Sequence, residues 1–457
     1  MIVPTLRLLV CYAVLIPPLA LLALVGQKGS ALCLAAGSAL ILVAIIDGAC
    51  ARLGSRGIEV RLPPLTRMIR DREGTLGLGV ERRRIAGGEI RVGLPFPAEI
   101  ASPFDVVAVP LRAGETSAYL SWPCTPLDRG RFSIDACYVE TSSFLGLWDF
   151  RRRQRTTCEV RVYPSLELER KALAGLFLNR GTLGLHMRRQ QGKGRDFERL
   201  REYAAGDGYD EIHWKATAKR RRPITKVFQI ERTQEVYVAI DFSRLGARRL
   251  EAFGSSGHAG GGAPSIAYGR THLEWFIAAA LVLGLAARQQ GDLFGIAAFS
   301  DGVESFMRAR AGLLHYNACR ERIFSLRPRM VNPDYEELFT FIRHRIKRRS
   351  LIMILTDLDD PMLAETFARG VDLVCRQHLV IVTTLRPQWA RPVFSDPGLA
   401  SVDDIYDGLS GHALWHDLER LKRSLSGRGV EYALVDHEHL CIDLVSRYVS
   451  IKQRQVL

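Results

Sequence analysis

The chain has no Cys-x-x-Cys pair, although nine cysteines are scattered along its 457 residues. An odd number at irregular spacing argues against both a zinc ribbon and a disulfide framework, and fits a reducing compartment. A phosphate loop is missing too. Gly192-Lys193 lacks the glycine five residues earlier and is followed by Gly194, not by the Ser or Thr that a nucleotide-bound Mg²⁺ needs. His412 and His416 stand four apart, but no Glu follows His412 as a zinc peptidase requires. Asp436, His437 and His439 lie together past an apolar run without a Ser or Cys nucleophile motif, and read as a solvated helix start. Acidic residues are in deficit as well, 49 against 63 basic, for a formal charge of +14. The excess sits in clusters, Arg82-Arg83-Arg84, Arg151-Arg152-Arg153, Lys219-Arg220-Arg221-Arg222 and Lys347-Arg348-Arg349. Beside a membrane such clusters meet anionic headgroups first, so no specific nucleic acid is expected.

Long apolar runs are present only at the start. Leu8 to Gly26 and Ala31 to Ile46 are nearly free of charge and each approaches the length that spans a bilayer, with Pro17-Pro18 midway along the first. They predict a membrane α-hairpin over residues 1–51. The first run is too long for a secretory signal, and a second follows at once. Arg52, Arg56, Arg61, Arg67 and Arg70 follow the second span while the hairpin turn carries only Lys28, which places the rest of the chain in the cytoplasm, at the inner membrane.

Residues 52–165 change to short alternating or β-branched segments, among them Asp105 to Leu111, Arg131 to Glu140 and Cys158 to Tyr163, broken by Pro, Gly and Asp. This predicts a β-rich, sandwich-like domain. Residues 166–234 form a connector, with Leu166 to Gln191 read as helical. Within it Phe197, Leu200 and Tyr203 recur at helical spacing, Gly206-Asp207 can end that helix, and Trp214 and Ala218 share a second turn. From 235 to 457 apolar strands alternate with amphipathic helices, the pattern of a Rossmann-like α/β domain with a mainly parallel sheet. Strands are expected at Glu235 to Ile240, Leu293 to Phe299, Leu351 to Thr356, Leu379 to Leu385 and Val430 to Val435, and Gly254 to Gly262 as a loop.

Ligands of open α/β sheets gather at the carboxyl ends of the strands. Asp241 and Ser243 follow the first strand, and Asp357 follows the strand from Leu351. Side by side they would offer oxygen ligands of the kind Mg²⁺ takes alongside retained waters. The bland alternative is that both aspartates cap helices or loop amides.

The residues from about Glu235 onward resemble a von Willebrand factor type A domain, and the whole chain resembles the domain-of-unknown-function 58 (DUF58) family. The resemblance rests on Arg129-Gly130-Arg131-Phe132, Phe144 to Trp148, Val162-Tyr163-Pro164, Arg199 to Tyr203, Gly206-Asp207, Ile212 to Ala218, Arg349-Ser350-Leu351, Thr356-Asp357-Leu358 and Tyr448 to Leu457. It implies a metal site at Asp241, Ser243 and Asp357. The second serine of the family's Asp-x-Ser-x-Ser pattern is replaced by Leu245, and where a distant Thr is expected the chain has Asn332-Pro333-Asp334, making Asp334 a substitute ligand. It also implies an output of assembly, not turnover, beside a MoxR-type AAA+ ATPase. Arg201, Tyr203, Gly206, Asp207, Ile212, Trp214 and Lys215 are the signature residues, read as a clasp between domains or a partner surface. The expected function is thus a membrane-anchored, non-enzymatic adaptor. The alternatives are a metal-dependent hydrolase using Asp241, Asp357 and Asp359, and a membrane-tethered nucleic-acid binder.

Overall fold

The computed structural model describes residues 1–23, 27–55, 57–82, 90–109, 116–166, 191–204, 208–229, 233–249, 270–387, 389–393 and 402–454. The chain divides into two compact units, Met1–Ser165 and Leu166–Leu457.

The first unit opens with the short strand β1 (Ile2–Pro4) and the helices Leu6–Ala23 and Gln27–Ser55. Among the described residues no helix is long and apolar enough to cross a membrane, which overturns the expected membrane hairpin. The second helix is also committed elsewhere. Its Asp47 is buried and accepts the backbone N–H of Leu145 at 3.1 Å, and Trp148 Nε1 donates to the Ala44 carbonyl at 2.8 Å. Leu8 and Ala44 are buried within the unit too. Part of the apolar length counted toward a span is therefore packed on protein.

The strands that follow are β2 (Ile58–Arg61), β3 (Leu65–Ile69), β4 (Gly74–Arg82), β5 (Ile90–Gly93), β6 (Ile100–Ala101), β7 (Val106–Val109), β8 (Ser117–Pro126), β9 (Gly130–Ser142) and β10 (Trp148–Tyr163). They form one sheet in the order β1-β10-β9-β5-β7, with β3 also paired to β10, and a second in the order β2-β4-β8-β6. Period-two alternation decides which side chains face inward. Leu76, Leu78 and Val80 of β4 and Trp122 and Cys124 of β8 share one core with Ile90 and Val92 of β5 and Cys158, Val160 and Val162 of β10. Two sheets thus close over one apolar layer, as in a β-sandwich.

The second unit begins, among the described residues, with an antiparallel ribbon of β11 (Gln191–Glu202) and β12 (Ile224–Gln229). This corrects the helical reading of Phe197, Leu200 and Tyr203. The segment is a strand because its backbone pairs with β12 from Phe197↔Phe228 to Glu202↔Ile224, and register shifts between Phe197 and Arg199 break the period-two alternation. The helix expected from Leu166 to Gln191 and the Gly254 to Gly262 loop lie largely or wholly outside the described residues, as do Gly206 and Asp207. Trp214–Arg220 is a short helix, as its spacing predicts.

The main sheet contains β13 (Glu235–Asp241), β14 (Leu293–Phe299), β15 (Val303–Arg310), β16 (Leu351–Leu355), β17 (Leu379–Leu385) and β18 (Glu431–Val435), in the order β15-β14-β13-β16-β17-β18. All neighbours are parallel except the edge pair β14 and β15. Helices cover both faces, so the inner strands are apolar on both sides and all five residues of β16 are buried. Val236, Val238 and Ile240 pack on the helices His272–Gln289 and Leu440–Arg454, while Tyr237 and Ala239 face Tyr335–Arg345 and Pro361–Gly370. The sequence pattern missed β15, an edge strand with three charged residues, and the helix Leu313–Ile323, whose apolar face is narrow. Strand order reverses between β13 and β16, and the crevice of a doubly wound sheet opens there.

Candidate metal and docking site

Two strand ends build this crevice. β13 and β16 run parallel in a register that pairs Ile240 with Leu355, so Asp241 and Thr356 stand side by side one residue further on. Thr356 Oγ1 donates to Asp241 Oδ2 at 2.5 Å and sits 2.9 Å from the hydroxyl of the buried Tyr335. Asp241 Oδ1 accepts the backbone N–H of Ser243 at 2.8 Å. Ser243 in turn caps the short turn Arg244–Ala247, its Oγ accepting from the Leu245 N–H at 3.3 Å. Asp357 continues β16 by one more position and turns to the opposite face, where His272 Nδ1 lies 2.5 Å from its Oδ2. Asp241, Ser243, Thr356 and Asp357 are all buried.

Burial of Asp241 pushes its carboxyl up to about 6, and the charge of Asp357 adds to the rise against hydrogen bonds from Thr356 and Ser243. A cation is the natural remedy for two buried carboxylates. Asp357 Oδ1, buried and without a hydrogen-bond partner among the described residues, is the atom that asks for one. The donor set suits a hard divalent ion: Asp241, Asp357 and the hydroxyls of Ser243 and Thr356, with water for the remainder. It is a lean set. Leu245 is buried and offers no ligand, and among the described residues no group of three His, Cys, Asp or Glu side chains is placed to hold a metal.

The structure therefore brings Asp241, Ser243 and Asp357 to one crevice and gives Asp334 a different task. Asp334 Oδ1 caps the helix Tyr335–Arg345 by accepting the Glu337 N–H at 3.0 Å. Around the crevice Arg248 pairs with Asp359 at 2.5 Å, and Arg244 bonds Asn332 and reaches Asp360 at 3.4 Å. These pairs tie the turn after β13 to the loop after β16. Sequence reasoning assigned no role to Thr356, Tyr335 or His272. Thr356 was within reach of it, since the residue before Asp357 must stand on the face that Asp241 shares. Tyr335 and His272 arrive on helices packed from opposite sides, and no local spacing announces them.

The signature residues lie on the ribbon and the turn beyond it. Tyr203 donates its N–H to the Pro223 carbonyl at 3.0 Å and stacks on Tyr209, and Arg201 Nη1 donates to the Glu202 carbonyl. Ile212 is buried and bridges to Thr225, whereas Trp214 is 68% exposed and Lys215 is exposed. Ile212 thus ties the turn to its own ribbon, and Trp214 and Lys215 form open surface.

The six-stranded sheet with one antiparallel edge, with Asp241 and Ser243 past one strand end and Asp357 past the next, defines a von Willebrand factor A-like domain. Residues 199–391 match the model of the family described as "Protein of unknown function DUF58". No curated protein matches the chain. Among solved structures, BatB from Bacteroides thetaiotaomicron is 12% identical, covering 48% of this chain and 99% of that one at a TM-score of 0.30. An aerotolerance-related membrane protein from Bacteroides fragilis is 13% identical, covering 48% and 98% at 0.28. Proximal thread matrix protein 1 from the mussel byssus, described with a zinc-occupied MIDAS motif, is 8% identical at 0.26. The chain spans about half of that protein's length, 46%, and 47% of the chain is covered. Divalent metal binding is thus recorded of that protein, while the fold assignment here rests on strand order.

Proposed function

We propose that this chain is a non-enzymatic adaptor whose von Willebrand-like domain docks a partner protein at the β13/β16 crevice. The observation that carries this reading is the pair of buried carboxylates at the switch point, Asp241 and Asp357, with one oxygen of Asp357 unsatisfied among the described residues and two arginine pairs holding the surrounding loops. The metal such a site would take is Mg²⁺, which Asp241, Ser243, Asp357 and Thr356 would hold. When bound it supplies a positive point that an acidic side chain of the partner completes. The chain's own residues do the rest: Thr356 and the Ser243 N–H fix the Asp241 carboxylate, His272 fixes that of Asp357, and the Arg244 and Arg248 pairs hold the two loops at a set separation.

The partner proposed is a MoxR-type AAA+ ATPase, on the strength of the family resemblance, in the assembly or maturation of other proteins. The place is the inner membrane, with the α/β unit on the cytoplasmic side. Exposed apolar residues on the first two helices, Val14, Leu15, Ile16, Ile41, Leu42 and Ile45 among them, support membrane association without a spanning hairpin. A pull-down from membranes with the ATPase nucleotide state varied tests the reading, and recovery of no AAA+ protein in any state sinks it. Titration of Mg²⁺ against thermal stability, with Asp241→Ala as control, tests the metal. The raised Asp241 carboxyl favours one rival, a metal-dependent hydrolase, which phosphoester or peptide hydrolysis lost in Asp357→Ala would promote.

A further inference from the structure

The turn between β11 and β12 carries a helix that packs on almost nothing. Trp214–Arg220 has no buried residue. It is fixed by polar bonds instead: His213 N–H to the Ile224 carbonyl at 2.8 Å, Ile224 N–H to Thr217 Oγ1 at 3.0 Å, and the Ala216 N–H to His213 Nδ1 at 3.0 Å. Arg221 then adopts a left-handed conformation, φ 57°, that turns the chain back into β12. A seven-residue helix is marginal in water without tertiary packing, and here hydrogen bonds hold it in place while Trp214 stays in solvent.

Asp210 and Glu211 precede the helix, but charge on the helix and the turn after it has one sign. From Ile212 to Lys226 there is no acidic residue, while Lys215, Lys219, Arg220, Arg221 and Arg222 are all exposed. Arg222 pairs with Glu202 at 2.6 Å, and among the described residues no ion pair neutralises the other four. We propose that this tip docks on an anionic lipid bilayer, with Trp214 at headgroup depth and Lys215, Lys219, Arg220 and Arg221 against lipid phosphates. Charge complementarity selects a negative surface, and the size of the tip selects a bilayer over an acidic protein. A specific protein contact covers about 800 Å² on each side and centres on a fitted pocket, more than a seven-residue helix supplies. A bilayer needs no matching shape, only basic residues and an aromatic ring suited to the interface. The inference rests on the membrane location proposed above and assigns one point of contact.

The test uses the full chain and flotation with vesicles of phosphatidylcholine alone or mixed with phosphatidylglycerol. Binding is expected to favour the anionic vesicles and to weaken with salt. Each basic residue is worth roughly fivefold at an anionic surface, so Lys215→Glu, Lys219→Glu, Arg220→Glu and Arg221→Glu together should lower affinity by at least about 600-fold. Brominated lipid should quench less fluorescence in Trp214→Phe than in the parent, while circular dichroism and melting show both variants folded. Unchanged binding of the fourfold variant to anionic vesicles overturns the proposal. So does Trp214-dependent binding of poly-glutamate by a protein that ignores both vesicles, which would make the tip an acidic-protein site. Cell fractionation separates the two readings: if the chain sediments with membranes and the fourfold variant still floats normally, only the tip assignment fails.

Discussion

Replacing Asp241 by Asn should stabilise the metal-free protein at neutral pH. Its carboxyl is pushed up to about 6 from an ordinary 3.8 because burial penalises the charged form. A rise of about two units corresponds to about 3 kcal/mol, since each unit is worth roughly 1.4 kcal/mol. The sign follows from proton counts. Between pH 4 and 6 the folded state holds more protons at this site than the unfolded state, so stability falls as pH rises through that window and the full cost persists above it. Asn keeps the shape, its carbonyl can accept the Ser243 N–H, and its amide can donate to Thr356 Oγ1, which sits close to Tyr335. Urea unfolding in the presence of a chelator, from pH 4 to 8, should show the variant gaining up to about 3 kcal/mol over the parent at pH 7 and nothing near pH 4. Added Mg²⁺ should then stabilise the parent and leave the variant unchanged. A variant less stable than the parent at pH 7 with chelator present, or a difference that does not vary with pH, refutes the account of a buried carboxylate lacking its cation.

Three further outcomes follow from the packing. Asp292 is buried, accepts the Tyr448 hydroxyl and lies 2.7 Å from Lys452 Nζ, so Asp292→Ala should cost about 3–5 kcal/mol in urea unfolding by stranding those partners. Gly295→Ala would place a methyl 2.5 Å from the Tyr237 ring and 2.8 Å from the Ala309 nitrogen, and the β14/β15 edge should lose about 1–3 kcal/mol, seen as a lower melting temperature. Trp122→Ala removes a wholly buried ring and the 2.9 Å bond of its Nε1 to Ser102, and should cost the β-sandwich about 3–5 kcal/mol.

Much of the second unit was legible because parallel strands buried on both faces are continuous apolar runs. Leu293–Phe299 and Leu379–Leu385 fall where the runs end, and Asp241 and Asp357 stand just past two others. The edge strand Val303–Arg310 was not legible, because half of it faces solvent and its composition is that of a loop. Phe197, Leu200 and Tyr203 misled for a different reason: three apolar residues at mixed spacing fit a helix and an irregular strand equally well, and only pairing with β12 decides. The N-terminal runs misled through composition. Hydropathy counts side chains without asking what they touch, and Ala44 and Asp47 are bonded to Trp148 and Leu145 beside the β-sandwich.

By itself the sequence determined the buried parallel strands of the second unit, the motif of the β11–β12 segment and the two strand-end carboxylates, because these depend on local periodicity and on residue identity at strand ends. Tertiary structure alone decided that Asp241 meets Thr356 and Tyr335 on one face of the sheet while Asp357 meets His272 on the other. It also decided that Trp214 stays in solvent. Those outcomes depend on strand register and on which helix packs over which end, contacts between residues as far as 115 positions apart, where sequence spacing carries no geometric information.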